Sequence, residues 1–110
     1  MFPRAARLRL QRDIKAVQRM GRGTGNRFFF IKMLSTNLPR SRATVVVSQK
    51  VAKKAVDRNR IKRQVRAVLS PAVKKISKAH DLLVIVRKPA LELTTPEIGA
   101  RLTSLLKELL

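Results

Sequence analysis

The sequence predicts a small α/β sandwich, helices laid against one sheet, with elements in the order helix, strand, strand, helix, strand, helix. Three observations carry that reading. Two short runs of aromatic and β-branched residues occupy the first half, a stretch of helical periodicity crosses the middle, and an unbroken apolar run is followed by a second helical stripe. The chain has 110 residues, enough for one ordinary domain and too few for a second.

Residues 1–12 read as a flexible basic arm leading into a short helix, Asp13 to Met20, with Ile14 and Val17 on one side. Gly21 ends that helix, and Gly23 and Gly25 extend the break as a flexible turn. Phe28 to Leu34 is dense in aromatic and aliphatic groups and reads as a strand. Pro39, with its serine and asparagine neighbours, marks a turn before a second strand, Thr44 to Ser48, expected beside the first and antiparallel to it.

From Val56 the period changes. Ile61, Val65, Val68, Leu69, Ala72 and Ile76 fall within a stripe of about 100° at helical spacing, which predicts a core-facing helix kinked at Pro71. Asp81 to Arg87 contains the continuous run Leu82-Leu83-Val84-Ile85-Val86, the pattern of a central strand covered on both faces. The last helix is announced by Thr94 as N-cap, Pro96 in the first turn and an early Glu97; Ile98, Leu102, Leu105, Leu106 and Leu109 give it an apolar face.

Lysine and arginine number 26 against 6 acids, a net charge of +20. That magnitude is far beyond the few units typical of a small domain and demands a polyanionic partner. Apolar residues make up 45%, with 4 glycines and 5 prolines, so the chain can build a core and is no disordered basic tail. Residues 1–63 carry 18 basic and 2 acidic side chains, residues 64–110 carry 8 and 4, an asymmetry that places one charged face toward the partner. Zero cysteines exclude disulfides and thiolate metal sites, and a single histidine provides no cluster of ligands. No run approaches the roughly 18 apolar residues of a membrane span, so a cytoplasmic protein without a membrane partner is expected.

The densest chemistry lies in Lys53 to Arg66. On a helical projection Arg60, Lys62, Arg63, Arg66, Lys74 and Lys78 spread opposite the apolar stripe, ready to meet phosphates while the other face is buried. Arg58 projects instead beside the stripe, next to Asn59. Composition leaves two readings open: a guanidinium and amide set to bind phosphate or base edges, or a snorkelling arginine with a helix-capping asparagine.

The order Arg58-Asn59-Arg60 followed by Lys62-Arg63 resembles the RNR motif of the bacterial ribonuclease P protein component family. The likeness extends along nearly the whole chain, through the approach from Gly21 to Phe28, the strand ending near Val47-Ser48, and Asp81 to Arg87 with Lys88-Pro89-Ala90. It implies an α/β sandwich with a left-handed βαβ crossover, a hand that general rules argue against. It implies, too, a subunit of an endoribonuclease that removes the 5′ leader of precursor tRNA, with the chemistry residing in a catalytic RNA aided by magnesium. No cofactor is expected on the protein alone, no catalytic residue in this chain, and no small-molecule substrate. By the same resemblance Arg58, Asn59, Arg60, Lys62, Arg63 and Arg66 lie near the catalytic RNA, with Lys50, Lys53 and Lys54 extending the patch. Gln49 and Ala52 depart from the lysine and glycine common in the family.

A second family site is a cleft where the leader passes over aromatic side chains able to stack on unpaired bases. Here Ile14, Gln18 and Lys32 stand where aromatics are usual, and the chain has no tyrosine or tryptophan. Strand alternation puts Phe28, Phe30 and Lys32 on one face, with Phe30 the best stacking candidate, and Phe29, Ile31 and Met33 on the other. His80, beside Asp81, reads as a turn histidine without catalytic duty, and the six acids are too scattered for a metal or a carboxylate pair. A structural RNA-binding protein such as a ribosomal component shares the size and charge; the RNR order speaks against it.

Overall fold

The computed structural model describes residue 8, residues 11–76 and residues 78–109. In chain order the elements are helix α1 (Gln11–Met20), strands β1 (Arg22–Gly25), β2 (Phe29–Ser35) and β3 (Arg42–Val46), helix α2 (Ala55–Lys75), strand β4 (His80–Val86), a 3₁₀ turn (Lys88–Glu92) and helix α3 (Thr95–Leu109). The α/β class expected from the sequence is observed. The four strands form one sheet in the order β1-β2-β4-β3.

Strand β4 lies centrally, antiparallel to β2 and parallel to β3, and six of its seven residues are buried. One face of the sheet carries Phe29, Ile31, Met33, Ala43, Val45, Leu82, Val84 and Val86, packed with Ile61, Val65, Leu69 and Val73 of α2 and the leucines of α3. The other face is smaller: Leu83 is buried beneath Val17 of α1 and Leu8, with Ile14, Leu34 and Ile85 around them. The basic arm expected over residues 1–12 lies mostly outside the described residues, but Leu8 is buried and its N–H donates to the Ala43 carbonyl at 2.9 Å, while Gln11 and Arg12 belong to α1.

Three sequence expectations about the strands and the end of α1 are corrected. The strands β2 and β3 are not neighbours, because β4 inserts between them and pairs with both. An unbroken apolar run needs cover on both faces and partners on both edges, and the central position gives both. The turn expected at Gly21 to Gly25 contains strand β1, paired with β2 from Arg22↔Met33 to Gly25↔Phe30. Glycine is depleted in strands, but here it makes room: a Cβ at Gly23 or Gly25 would meet the Phe30 ring at 2.8 or 2.6 Å. Nor does Gly21 adopt the left-handed conformation of a helix C-cap; it is needed because a Cβ there would lie 2.5 Å from the Val17 carbonyl oxygen.

Helix α2 runs through Pro71, with Leu69 and Val73 buried on either side. Ala67, whose carbonyl loses its partner at the proline, sits on the exposed face, open to solvent. Helix α3 begins with a reciprocal capping box: the Thr94 N–H donates to Glu97 Oε1 at 2.9 Å and the Glu97 N–H to Thr94 Oγ1 at 3.4 Å. The bond from the Thr94 N–H, with the Thr94 hydroxyl beside it, favours the carboxylate and holds Glu97 below its ordinary value of 4.5.

The sequence also concealed a polar network under the sheet's edge. Asp81 is buried and accepts two bonds from Arg42, Nε to Oδ1 at 2.9 Å and Nη2 to Oδ2 at 2.6 Å; Arg42 Nη1 reaches Asp13 Oδ2 on α1 at 3.3 Å. The carboxylates keep the Arg42 guanidinium firmly charged. His80 is no turn residue: it opens β4, buried, its N–H donating to Ser41 Oγ at 3.0 Å. Its Nδ1 faces the Lys78 carbonyl oxygen at 2.8 Å, a contact that requires a proton on Nδ1, and its Nε2 lies 3.3 Å from Ser35 Oγ. Among the described residues no buried side-chain nitrogen or oxygen lacks a partner.

Two expectations follow. Asp81→Ala strands a half-buried guanidinium and lowers unfolding free energy by about 3–5 kcal/mol in urea titrations, whereas Asp13→Ala, which leaves the bidentate pair intact, costs about 1 kcal/mol or less. Because Glu97 has a depressed value in the folded state, its stabilisation is complete above the unfolded carboxylate value and fades as pH falls through the folded one; Glu97→Gln therefore flattens part of the acid limb of thermal melts below the ordinary carboxylate value of 4.5.

Candidate RNA interface

The loop between β3 and α2 shapes the basic surface. Val47 is buried, the Ser48 carbonyl accepts from the N–H groups of Val51 and Ala52 at 3.1 and 3.2 Å, and Ala52 is buried in turn. Arg58 then closes the loop from above: its Nη1 donates to the Ala52 carbonyl at 2.9 Å and to the Lys53 carbonyl at 2.8 Å. Of the two readings left open by the sequence, neither is quite what the structure contains. The guanidinium is half-buried and clamps the backbone that enters the helix, through one of its three nitrogens. Asn59 is exposed and caps nothing, since the N-cap residue is Lys54, which makes no side-chain cap bond.

Around this clamp Lys50, Lys53, Lys54, Arg60 and Arg63 are exposed, and Lys62 and Arg66 are half-buried. Their charges are not neutralised internally: among the described residues, ion pairs involve only Arg12 and Arg42 as cations. A row of unpaired cations on a rigid helix repels itself and attracts phosphates.

The second surface is the sheet face beside α1. Register places Gly25, Phe30, Ile85 and Val46 in one cross-strand row, and Gly23, Lys32, Leu83 and Thr44 in the next. Helix α1 covers the second row at Leu83. The first row stays accessible, with Phe30 and Ile85 half-buried and Val46 exposed, and the Arg87 guanidinium lies 5.7 Å from the centre of the Phe30 ring at one end.

Of the residues assigned to this cleft, Gln18 and Lys32 meet directly, Lys32 Nζ donating to the Gln18 carbonyl oxygen at 2.5 Å at the C-terminal end of α1, where a cation is favoured. Ile14 packs into the apolar contact between α1 and the sheet. Phe30 lies on the floor, but Phe28 lies apart from it: it precedes β2, packs against the main core and has Arg101 of α3 at 5.1 Å from its ring centre. Val46, Ile85 and Arg87 were not singled out from the sequence. Their signal is a register across three strands, and a continuous apolar run does not say which of its residues face which side.

A family model described as ribonuclease P matches residues 2–110. The chain belongs to the ribonuclease P protein family. It is 35% identical over 104 residues to the ribonuclease P protein component of Staphylococcus haemolyticus, covering 94% of this chain and 90% of that one. With the component from Thermotoga petrophila it shares 37% over 87 residues, 79% of this chain and 74% of that one. In three dimensions it is similar to the RNase P protein of Staphylococcus aureus, with a TM-score of 0.84 and 31% identity over 96% of this chain and 95% of that one. The RNase P protein of Thermotoga maritima, solved with 1-(4-fluorophenyl)-2-thiourea, gives a TM-score of 0.82 and 33% identity over 92% and 97%. A ribonuclease P protein is a subunit of the endoribonuclease ribonuclease P, works with its RNA and binds precursor tRNA, and this chain is such a subunit.

Among the described residues no three histidine, cysteine or acidic side chains are grouped to hold a metal ion, and no helix is long and apolar enough to cross a membrane. The Arg58 clamp makes a testable distinction within the ribonuclease P motif. Arg58→Ala leaves two carbonyls without their donor and is expected to cost about 1.5–3 kcal/mol in chemical denaturation. Arg58→Lys is expected to recover part of that, because a single nitrogen makes both bonds and an ammonium on a shorter stem can still donate to a carbonyl, whereas Arg60→Ala leaves stability nearly unchanged.

Proposed function

We propose that the α2 surface of this ribonuclease P protein binds the catalytic RNA and that the sheet face beside α1 guides the 5′ leader of precursor tRNA. The observation that carries the first part is the set of cations on α2 with no acidic partner among the described residues, held on a helix whose entrance Arg58 locks. Arg60, Arg63, Lys53 and Lys54 supply phosphate contacts, Lys62 and Arg66 continue them along the helix, and Lys50 extends them into the loop; Asn59 offers a donor and an acceptor at the same exposed turn. Arg58 serves this surface mainly by shaping it.

The second part rests on the row Phe30, Ile85 and Val46, an apolar floor bounded by Lys32 and Gln18 on one side and Arg87 at one end. Sheet faces that carry several aromatics stack two or three unpaired bases. With one aromatic in place of several, this floor grips the leader through phosphate attraction and aliphatic contact more than through stacking, and is tolerant of base identity.

On this reading magnesium belongs to the chemistry of the RNA. The role of the protein is electrostatic: a cationic scaffold reduces the repulsion between two RNAs and with it the magnesium needed to bring them together. Such work fits a bacterial cytoplasm and a chain acting as one RNA-binding domain.

The test combines the purified chain with a bacterial ribonuclease P RNA and precursor tRNA at low magnesium, measuring 5′ leader cleavage. Faster cleavage with the protein is expected, and no gain refutes the assignment of these surfaces. Arg60→Ala should reduce holoenzyme activity several-fold more than Lys74→Ala, at unchanged protein stability; equal losses mean that bulk charge alone is responsible.

A further inference from the structure

The corner where β1 turns into β2 is built more firmly than a connecting turn requires. Asn26 Oδ1 accepts from the N–H groups of Phe28 and Phe29 at 2.8 and 2.9 Å, and the Asn26 N–H donates to the Phe29 carbonyl at 2.9 Å. From β4's end, the Arg87 N–H donates to the Phe28 carbonyl at 2.9 Å and Arg87 Nη1 to the Asn26 carbonyl at 2.8 Å. Five hydrogen bonds thus fix the backbone on which Phe28 and Phe30 stand.

Onto this corner three guanidiniums converge. Arg27 and Arg101 lie 6.0 and 5.1 Å from the centre of the Phe28 ring, and Arg87 lies 5.7 Å from that of Phe30. All three arginines are exposed, and among the described residues none forms an ion pair. Glu97 stands one helical turn before Arg101 and lends it some attraction, but its carboxylate is occupied by the Thr94 N–H. Like charges gathered around two rings without a neutralising acid are costly, and a phosphodiester with an unpaired base relieves that cost by meeting both the cations and the π-faces.

We infer that Arg27, Phe28 and Arg101 form a distal subsite for the precursor-tRNA leader, receiving nucleotides that have already crossed the sheet floor and passed Arg87. The inference rests on the reading of that floor as the leader path. The floor crosses three strands, about 10–15 Å at ordinary strand spacing, and ends at Arg87, whose guanidinium lies over Phe30 and donates to the Asn26 carbonyl. Nucleotides beyond that span must leave the sheet there, and the next cationic aromatic group around the corner is Phe28 with its two guanidiniums. The ligand chemistry, single-stranded RNA, is shared by the leader and by unpaired segments of the catalytic RNA, so the experiment separates the two.

Holoenzymes are assembled from the full chain and ribonuclease P RNA, and affinity is measured for precursor tRNAs with leaders of about two and about ten nucleotides. The unaltered protein should favour the longer leader. Arg27→Ala combined with Arg101→Ala is expected to lower affinity for the long leader about threefold to tenfold, leaving the short leader and the binding of ribonuclease P RNA to the protein unchanged. Phe28→Leu, which keeps an apolar group against the core, should produce part of the same loss, and Lys75→Ala combined with Lys107→Ala, an equal loss of charge elsewhere, should produce less.

The inference is overturned if long leaders gain nothing over short ones, if the lysine pair matches the arginine pair, or if the loss falls on ribonuclease P RNA binding. That last result assigns the corner to the catalytic RNA. Arg60→Ala combined with Arg63→Ala serves as the control on the broader reading: if it leaves binding of ribonuclease P RNA intact, the α2 surface itself is wrongly assigned.

Discussion

Asp81 is buried in a chain with more than four cations for every acid, and the guanidinium that meets it belongs to Arg42 on the neighbouring strand. Their bidentate contact ties β3 to β4 at the start of the parallel pair, and the third nitrogen of Arg42 extends the tie to Asp13 on α1. Parallel strands joined through a helix close a long loop before any contact rewards it, so an anchor at the first register position matters most there. Both surfaces proposed to meet RNA descend from this register. It sets Val46 beside Ile85 to make the floor, and it fixes where β3 ends and therefore where the loop under Arg58 begins.

Much of the architecture was legible because its signals are local. The stripe from Ile61 to Ile76, the capping box at Thr94 and Glu97, and the apolar run of β4 each declare an element from residues within a few positions of one another. What escaped depends on partners distant in the chain. Strand β1 has almost no strand propensity of its own and exists because β2 offers it an edge and Phe30 a lid. The position of β4 between β2 and β3 cannot be read from short spacing, and proximity in sequence argued wrongly for pairing β2 with β3. Asp81 looked like one of several scattered acids until its cross-strand neighbour was known.

At the RNA surface the legible part was residue type and the hidden part was division of labour. The order Arg-Asn-Arg singled out α2, but only geometry separates Arg58, engaged with two carbonyls, from Arg60, which makes no side-chain hydrogen bond or ion pair among the described residues. A similar separation applies to the phenylalanines. Phe28 and Phe30 share a parity in the sequence, yet the strand starts after the first of them, and the ring of Phe28 is turned toward α3. Parity arguments hold inside a strand and lapse one residue before it.

The Phe30 ring rests on a strand with no side chains at Gly23 and Gly25, so floor and edge strand are one packing unit. Any lineage that enlarges either glycine must shrink or swing the ring, and any that replaces the ring with a small residue leaves bare backbone open to water. Within the family, the size of the residue at position 30 and the sizes at 23 and 25 should therefore vary in opposition. Sequences that keep aromatics on α1 are freer to let β1 grow side chains, while chains like this one, with a single ring on the floor, are bound to keep it glycine-rich.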